Sequence, residues 1–249
     1  MSTNSNLDSN AKAMCKSLRY SGLIDGMNEA ALDKGFDREG FQKNLMLVLD
    51  VIDRNKLAEK AQQYRKAANL PYTSINYVDI QQHPIGLFNH KYFEYLSRGA
   101  WLKQGDSIVI DGVQCKARQQ FVSVFGNELM EKGVSVLFTD MKAMLLDLLV
   151  ADCKSQLQSA LKPLEKIDVL VLDDFELNTL STKEAYILAS LVQTRSEKGG
   201  FILLTNTPLE GEIAALDDVG LVGQMLIKYV VPFNHQMNFV AASKGVADA

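Results

Sequence analysis

Along the chain, apolar positions recur first at helical spacing and later in short unbroken runs, and this change of period divides the sequence in two. After a Ser/Asn-rich start over residues 1–11, read as disordered, Met14, Leu18, Met27 and Ala31 fall in two helically spaced pairs, interrupted near Ser21-Gly22. A helix pair with a glycine-marked joint is expected. From Phe41 the apolar positions Leu45, Leu49 and Ile52 continue through Leu57 toward Tyr64, the pattern of a long amphipathic helix. It must stop before Pro71, because the residue ahead of a proline is pushed out of helical geometry.

The stretch Pro71 to Gly86 holds two of the five prolines and no clear period, and reads as a linker. A helix over Leu87–Trp101 follows. Beyond it short apolar runs alternate with helical ones: strand Ser107–Asp111, helix Arg118–Lys132, strand Ser135–Thr139, helix Met141–Leu149, strand Ile167–Asp173, helix Thr182–Lys198, strand Phe201–Thr205. Strands separated by helical stretches imply right-handed crossovers and a parallel sheet. The expected fold is α/β, a parallel sheet flanked by helices (residues 76–241) preceded by a small all-helical domain (12–75) and followed by a flexible tail (242–249).

Composition narrows the function classes. Among 249 residues, 47% are hydrophobic, enough for a substantial core, and 26 basic against 30 acidic residues give a net charge of −4. A globally cationic nucleic-acid binder is excluded, though a local basic face is not. Up to Ile75 there are 11 basic and 9 acidic residues, a net of +2, leaving 15 basic against 21 acidic, or −6, for the rest. The helix from Phe41 carries most of that basic character at Arg54, Lys56, Lys60, Arg65 and Lys66, with Glu59 the one acid among them. These five are candidates for contacting DNA or a partner protein, against the commoner role of a charge run as a solvated face. Cys15, Cys115 and Cys153 are odd in number and match no paired ligand spacing, which suggests a reduced compartment with neither a disulfide framework nor structural zinc. His83, His90 and His235 form no ligand cluster, and Trp101 is expected to pack between domains. No apolar stretch approaches the roughly 20 residues of a membrane span, and the polar start lacks a secretion signal, so the chain is read as cytoplasmic.

One constellation points to chemistry. A P-loop runs strand, G-x-x-x-x-G-K-[ST], helix; its backbone N–H groups wrap phosphates, Lys neutralises them and the hydroxyl holds magnesium. Here Ile108-Val109-Ile110 leads into Gly112-Val113-Gln114-Cys115-Lys116-Ala117-Arg118-Gln119 and then a helix. Only the first glycine of the signature survives. Ala117 resists any positive φ required there, Arg118 is a planar fork where a compact ammonium is usual, and Gln119 lacks the hydroxyl. A second element, Ile167 to Asp174, is a buried apolar strand ending in two carboxylates, which could place Asp173 toward magnesium and Asp174 toward an attacking water. The alternative is a core strand whose Asp pair opens a turn. A third strand ends in Thr205-Asn206, polar residues suited to a γ-phosphate.

The order of these pieces resembles the DnaC/IstB family of AAA+ proteins, the helicase loaders and insertion-sequence helper ATPases, from about Leu18 to Phe239. It looks closer to IstB at the front, through Leu18-x-x-x-Gly22-Leu23, the run Asn55-Lys56-Leu57-Ala58 to Pro71-Tyr72, Gly86-Leu87 and Trp101-Leu102-x-x-Gly105. The resemblance implies a P-loop AAA+ fold, with Gly112 to Gln119 as Walker A, Asp173-Asp174 as Walker B and Thr205-Asn206 as sensor 1. It implies a replicative helicase, a transposase or DNA as partner, and self-assembly. The family's Asp-Arg, which supplies an arginine finger worth about 10³ to 10⁵ in rate, is replaced by Gly223-Gln224, and no arginine follows Arg195. Loss of the phosphate lysine, the magnesium hydroxyl and the finger points to an adaptor without ATP turnover, needing no cofactor. The alternatives are an ATPase in which Lys116 or Arg118 still grips phosphate and ATP–Mg²⁺ is the cofactor, and a scaffold unrelated to DNA.

Overall fold

The computed structural model describes residues 15–16, 20–32, 41–82, 86–195, 199–214, 220–231 and 234–241. Met14, Leu18, His83, the start over 1–11 and the tail over 242–249 lie outside them. The chain divides into two compact units, residues 1–62 and 63–249.

In the smaller unit, helix α1 (Ser21–Ala30) starts where the sequence placed a joint, followed by the long basic helix α2 (Phe41–Ala67), whose residues from Gln63 on belong to the larger unit. Ala30, Val48 and Val51 are buried, with Leu23, Met27, Leu47 and Ile52 packed around them. Gly26 lets the helices approach, since a Cβ there would lie 2.6 Å from Ile52 Cγ1. Leu45 and Leu49, expected on the buried stripe, are instead 40% and 46% exposed. The run from Leu45 to Ile52 is apolar on nearly every side of the helix. Its period therefore leaves the buried face undetermined, and the position of α1 selects Val48 and Val51.

The larger unit is a five-stranded, wholly parallel sheet in the order β3-β4-β5-β2-β6, with β2 Ser107–Asp111, β3 Val136–Asp140, β4 Val169–Asp173, β5 Gly200–Thr205 and β6 Asn234–Asn238. Ile108, Ile110, Val169, Val171, Ile202 and Leu204 face one layer, while Val109, Leu170, Leu172, Phe201 and Leu203 face the other. Because successive residues of a strand point to opposite faces, burial of both sets requires cover on both sides, and this is why these strands read as unbroken apolar runs. The first layer is covered by α4 (His90–Ser97) and α5 (Lys116–Glu131), the second by α6 (Met141–Cys153), α8 (Thr182–Arg195) and α10 (Leu221–Tyr229). Two shorter helices, α7 (Leu157–Glu165) and α9 (Leu209–Ala214), complete it.

Several expectations are corrected. The linker contains a short helix, α3 (Tyr77–Gln82), and the predicted helix Leu87–Trp101 is broken into β1 (Gly86–Leu87), α4 and a 3₁₀ turn over Ala100–Gln104. Gly99, in the left-handed region at φ 73°, separates the last two. Strand β1 pairs antiparallel with β7 (Val240–Ala241). Trp101 is an interior residue of this unit rather than a packing residue between domains: it is 2% exposed and donates from Nε1 to Leu96 O at 2.9 Å. Strand β6 escaped the sequence reading because its polar run, Asn-His-Gln-Met-Asn, offers one buried apolar residue, Met237.

The amino end of the sheet is pinned by Arg195, which is fully buried and donates to the carbonyls of Leu164, Ile167, Asp168 and Gly200. Burial pushes its guanidinium down to about 10. The carboxyl end, where β2, β4 and β5 finish at Asp111, Asp173 and Thr205, is where this topology places a site.

Candidate nucleotide site

From β2 the chain crosses β5 and β4 to reach the far edge at β3, then returns strand by strand. In sheets of this kind ligands bind where the strand order reverses, here beyond the carboxyl end of β2. The loop Gly112–Cys115 lies there. Gly112 has φ 145° and its N–H donates to Thr205 O at 3.1 Å. A Cβ on it would come 2.2 Å from Phe239 O. The surviving glycine of the signature is thus required by a close backbone approach within the protein.

Helix α5 starts at Lys116, two residues earlier than expected. Ala117 is accordingly helical and is not among the described residues with positive φ. The objection to alanine at that position does not apply, because this shorter loop requires no left-handed residue there.

Arg118 is 0% exposed and its guanidinium spans the ends of three strands. Nη1 donates to Gly112 O, to Thr205 O at 2.8 Å and, more weakly, to Asn206 Oδ1 at 3.4 Å. Nη2 meets Asp173 Oδ1 at 3.3 Å. The second carboxylate oxygen, Oδ2, accepts from Gln119 Nε2 at 3.2 Å. Asn206 closes the loop by accepting from Gln114 N at 3.1 Å, and its amide donates to Glu176 Oε1 at 3.3 Å. Arg118 Nε and the buried Thr205 hydroxyl have no hydrogen-bond partner.

The surroundings are acidic. Asp174 sits in the left-handed region at φ 53°, and partial burial followed by the nearby negative charge of Glu176 pushes its carboxyl above the usual range. Glu176 also meets Lys142 Nζ at 3.4 Å. Neither Glu176 nor Lys142 was legible in the sequence, since neither lies in a motif and each is brought in by a different loop or helix. Val113 and Lys116 are exposed at the rim, and Cys115 is half-buried.

The predicted nucleotide residues are therefore together in space, but they bind one another. A P-loop magnesium site needs a hydroxyl and an uncommitted carboxylate, and Mg²⁺ tolerates only near-octahedral oxygen ligands. Here the hydroxyl is a carboxamide and both oxygens of Asp173 are engaged by nitrogen donors. Among the described residues no three His, Cys, Asp or Glu side chains form a metal cluster. The residues present do not fit ATP–Mg²⁺ as a P-loop holds it.

Residues 13–243 match the family of IstB-like ATP-binding proteins. The chain belongs to that family. IstB-like relatives include the ATP-binding protein of insertion sequence IS1162 from Pseudomonas fluorescens, 24% identical over 191 residues, 77% of this chain and 83% of that protein. An insertion-sequence ATP-binding protein of Sinorhizobium fredii is 32% identical over 109 residues, 44% of this chain and 37% of that protein. In structure, this IstB-like chain shares its fold with a primosome component of Streptococcus pyogenes serotype M3 (TM-score 0.54, 16% identity, 74% of this chain and 97% of that one). DnaI gives a TM-score of 0.51 at 15% identity, covering 72% of this chain and 94% of that one. The expected IstB-like family is thereby established, and the α/β fold with a parallel sheet is shared with these two structures.

The other predicted residues are dispersed. At 3.6 residues per turn, Lys56 and Lys60 share one side of α2 while Arg54 lies on the other. Arg65 pairs with Glu131 at 2.7 Å, and Lys66 is exposed. Gln224, where the resemblance puts the finger, is exposed on α10, and Lys228 stacks over Tyr229 at 4.7 Å. His90 contacts Tyr77 at 3.3 Å, whereas His235 bridges Tyr92 at 2.9 Å and Asp106 at 3.1 Å. Among the described residues no helix is long and apolar enough to cross a membrane.

Proposed function

We propose that this IstB-like chain is an accessory protein of DNA transposition or replication that acts by binding a partner, a transposase or a replicative helicase, without turning over ATP. One observation supports the loss of turnover above others: Asp173, the expected magnesium ligand, has Arg118 on one oxygen and Gln119 on the other. The missing finger at Gly223-Gln224 removes a second contribution to the same transition state. In this reading the helical part, residues 12–75, carries the contact to partner or DNA, and the P-loop domain, 76–241, serves as scaffold and assembly surface. The names of the insertion-sequence relatives favour a transposase.

The test is titration calorimetry with ATP and magnesium beside a turnover assay. Weak or absent binding and background hydrolysis are expected. Micromolar binding with turnover abolished by Asp173→Asn would reject the reading in favour of an ATPase that holds phosphate through Lys116, which stays exposed at the first turn of α5. A pull-down from host extract, read by mass spectrometry, identifies the partner.

A further inference from the structure

We infer that Arg118 is an internal substitute for a bound metal, a cation built into the chain that permanently joins the ends of β2, β4 and β5. The inference rests on the reading of this site as one that does not turn over ATP, and it concerns what replaced the ligand. The guanidinium reaches Gly112 O beyond β2, Thr205 O on β5 and Asp173 Oδ1 on β4, with Gln119 completing the carboxylate. A lysine could not do this, because its ammonium is a point charge and cannot span three separated acceptors, whereas the planar fork of arginine directs its donors apart. Arg118 and Asp173 are also among the most buried charges present, at 0% and 5% side-chain exposure. Such a pair is tolerated when both charges are satisfied and becomes strongly unfavourable when one is left alone. The same chemistry that excludes the metal thus makes the unit independent of it.

The consequence is a domain held in one arrangement with or without nucleotide, and one that should regain a divalent site when both the guanidinium and the Gln119 amide are removed from Asp173. The probes are Mg²⁺, Mn²⁺ and Mg–ATP, added to the full chain and followed by calorimetric melting, with Mn²⁺ binding read directly by electron paramagnetic resonance. Wild type is expected to melt at the same temperature under all conditions and to bind no Mn²⁺. Arg118→Ala is expected to melt about 10 °C lower, the scale for orphaning a buried charge in a chain of this size. Mn²⁺ should bind the double variant Arg118→Ala with Gln119→Thr, in which Asp173 is uncommitted and a hydroxyl stands at position 119, and should raise its melting temperature.

A wild-type protein that binds Mn²⁺, or is stabilised by Mg–ATP, overturns the inference. So does an Arg118→Ala protein that melts like wild type, or a double variant that folds and takes up no Mn²⁺. If Arg118→Ala does not fold, Arg118→Lys carries the test. It keeps a buried cation without the fork and should melt several degrees below wild type, whereas unchanged melting rejects the proposal. These readouts need no partner, so a wild-type chain that captures neither transposase nor helicase would defeat the adaptor reading and leave this one standing.

Discussion

Arg118 and Asp173, read from the sequence as standing at the positions of a phosphate lysine and a magnesium carboxylate, meet at 3.3 Å in the interior. In an active P-loop these two groups are joined through the ligand. Here they touch directly, and Gln119 and Asn206 fill the remaining polar positions. The loop is therefore held by its own side chains, with Arg118 Nε and the Thr205 hydroxyl left unpartnered.

Restoring the motif should reopen the site. Ala117→Gly with Arg118→Lys and Gln119→Thr returns a hydroxyl and frees Asp173, so some ATP affinity should appear by calorimetry. Turnover should stay near background, because Gln224 still stands where the finger would be. A folded triple variant with no ATP affinity would show that Gly112–Gln119 is not a phosphate loop.

Arg195 is the last arginine of the chain and is a clamp rather than a finger. It is fully buried and donates to the carbonyls of Leu164, Ile167, Asp168 and Gly200. Arg195→Met leaves those carbonyls without a donor and should cost about 3 kcal/mol or more, lowering Tm by roughly 6–12 °C. A thermal melt within a degree or two of wild type would refute the clamp.

Asp174 makes stability depend on pH in a definite direction. Its carboxyl is raised above the ordinary 3.8 in the folded chain, so the folded state holds the proton more tightly than the unfolded one. Stability contributed by this group is then lost as pH rises from the ordinary value through the raised one. Asp174→Asn removes the penalty and suits the left-handed backbone, a conformation asparagine tolerates. The variant should be more stable than wild type at neutral pH, with the gain vanishing below about pH 4. Denaturant midpoints at the two pH values decide it, and a gain that persisted in acid would assign it to another cause.

The basic residues of α2 should not act as one surface. Reversing Lys56 and Lys60, which share a side of the helix, should weaken any DNA binding and lower its salt dependence by about 1 per charge removed. Contact with a protein partner through apolar groups should weaken much less. Arg65→Glu should instead reduce stability, because it faces Glu131 and removes a cation near Glu128, whose carboxyl is already raised by burial and then by the charge of Glu131. DNA affinity unchanged by the Lys56 and Lys60 reversals, measured at low salt, would exclude that face.

Periodicity alone determined the alternation of strands and helices from Ser107 to Thr205, α7 (Leu157–Glu165) excepted, because doubly covered strands must be apolar throughout and the crossovers between them must be long. Motif spacing likewise placed Gly112–Gln119 at the carboxyl end of β2. Strand β6 and the buried face of α2 were not legible, since a polar edge strand has one inward residue and an all-apolar helix segment has no preferred side. Nor could spacing reveal that Arg118 binds Asp173, 55 positions away, or that Glu176 holds Asn206. Such pairings depend on which strand ends the crossovers bring side by side. The sequence determined which residues stand in the loop after β2, and only the tertiary structure decided that they bind one another.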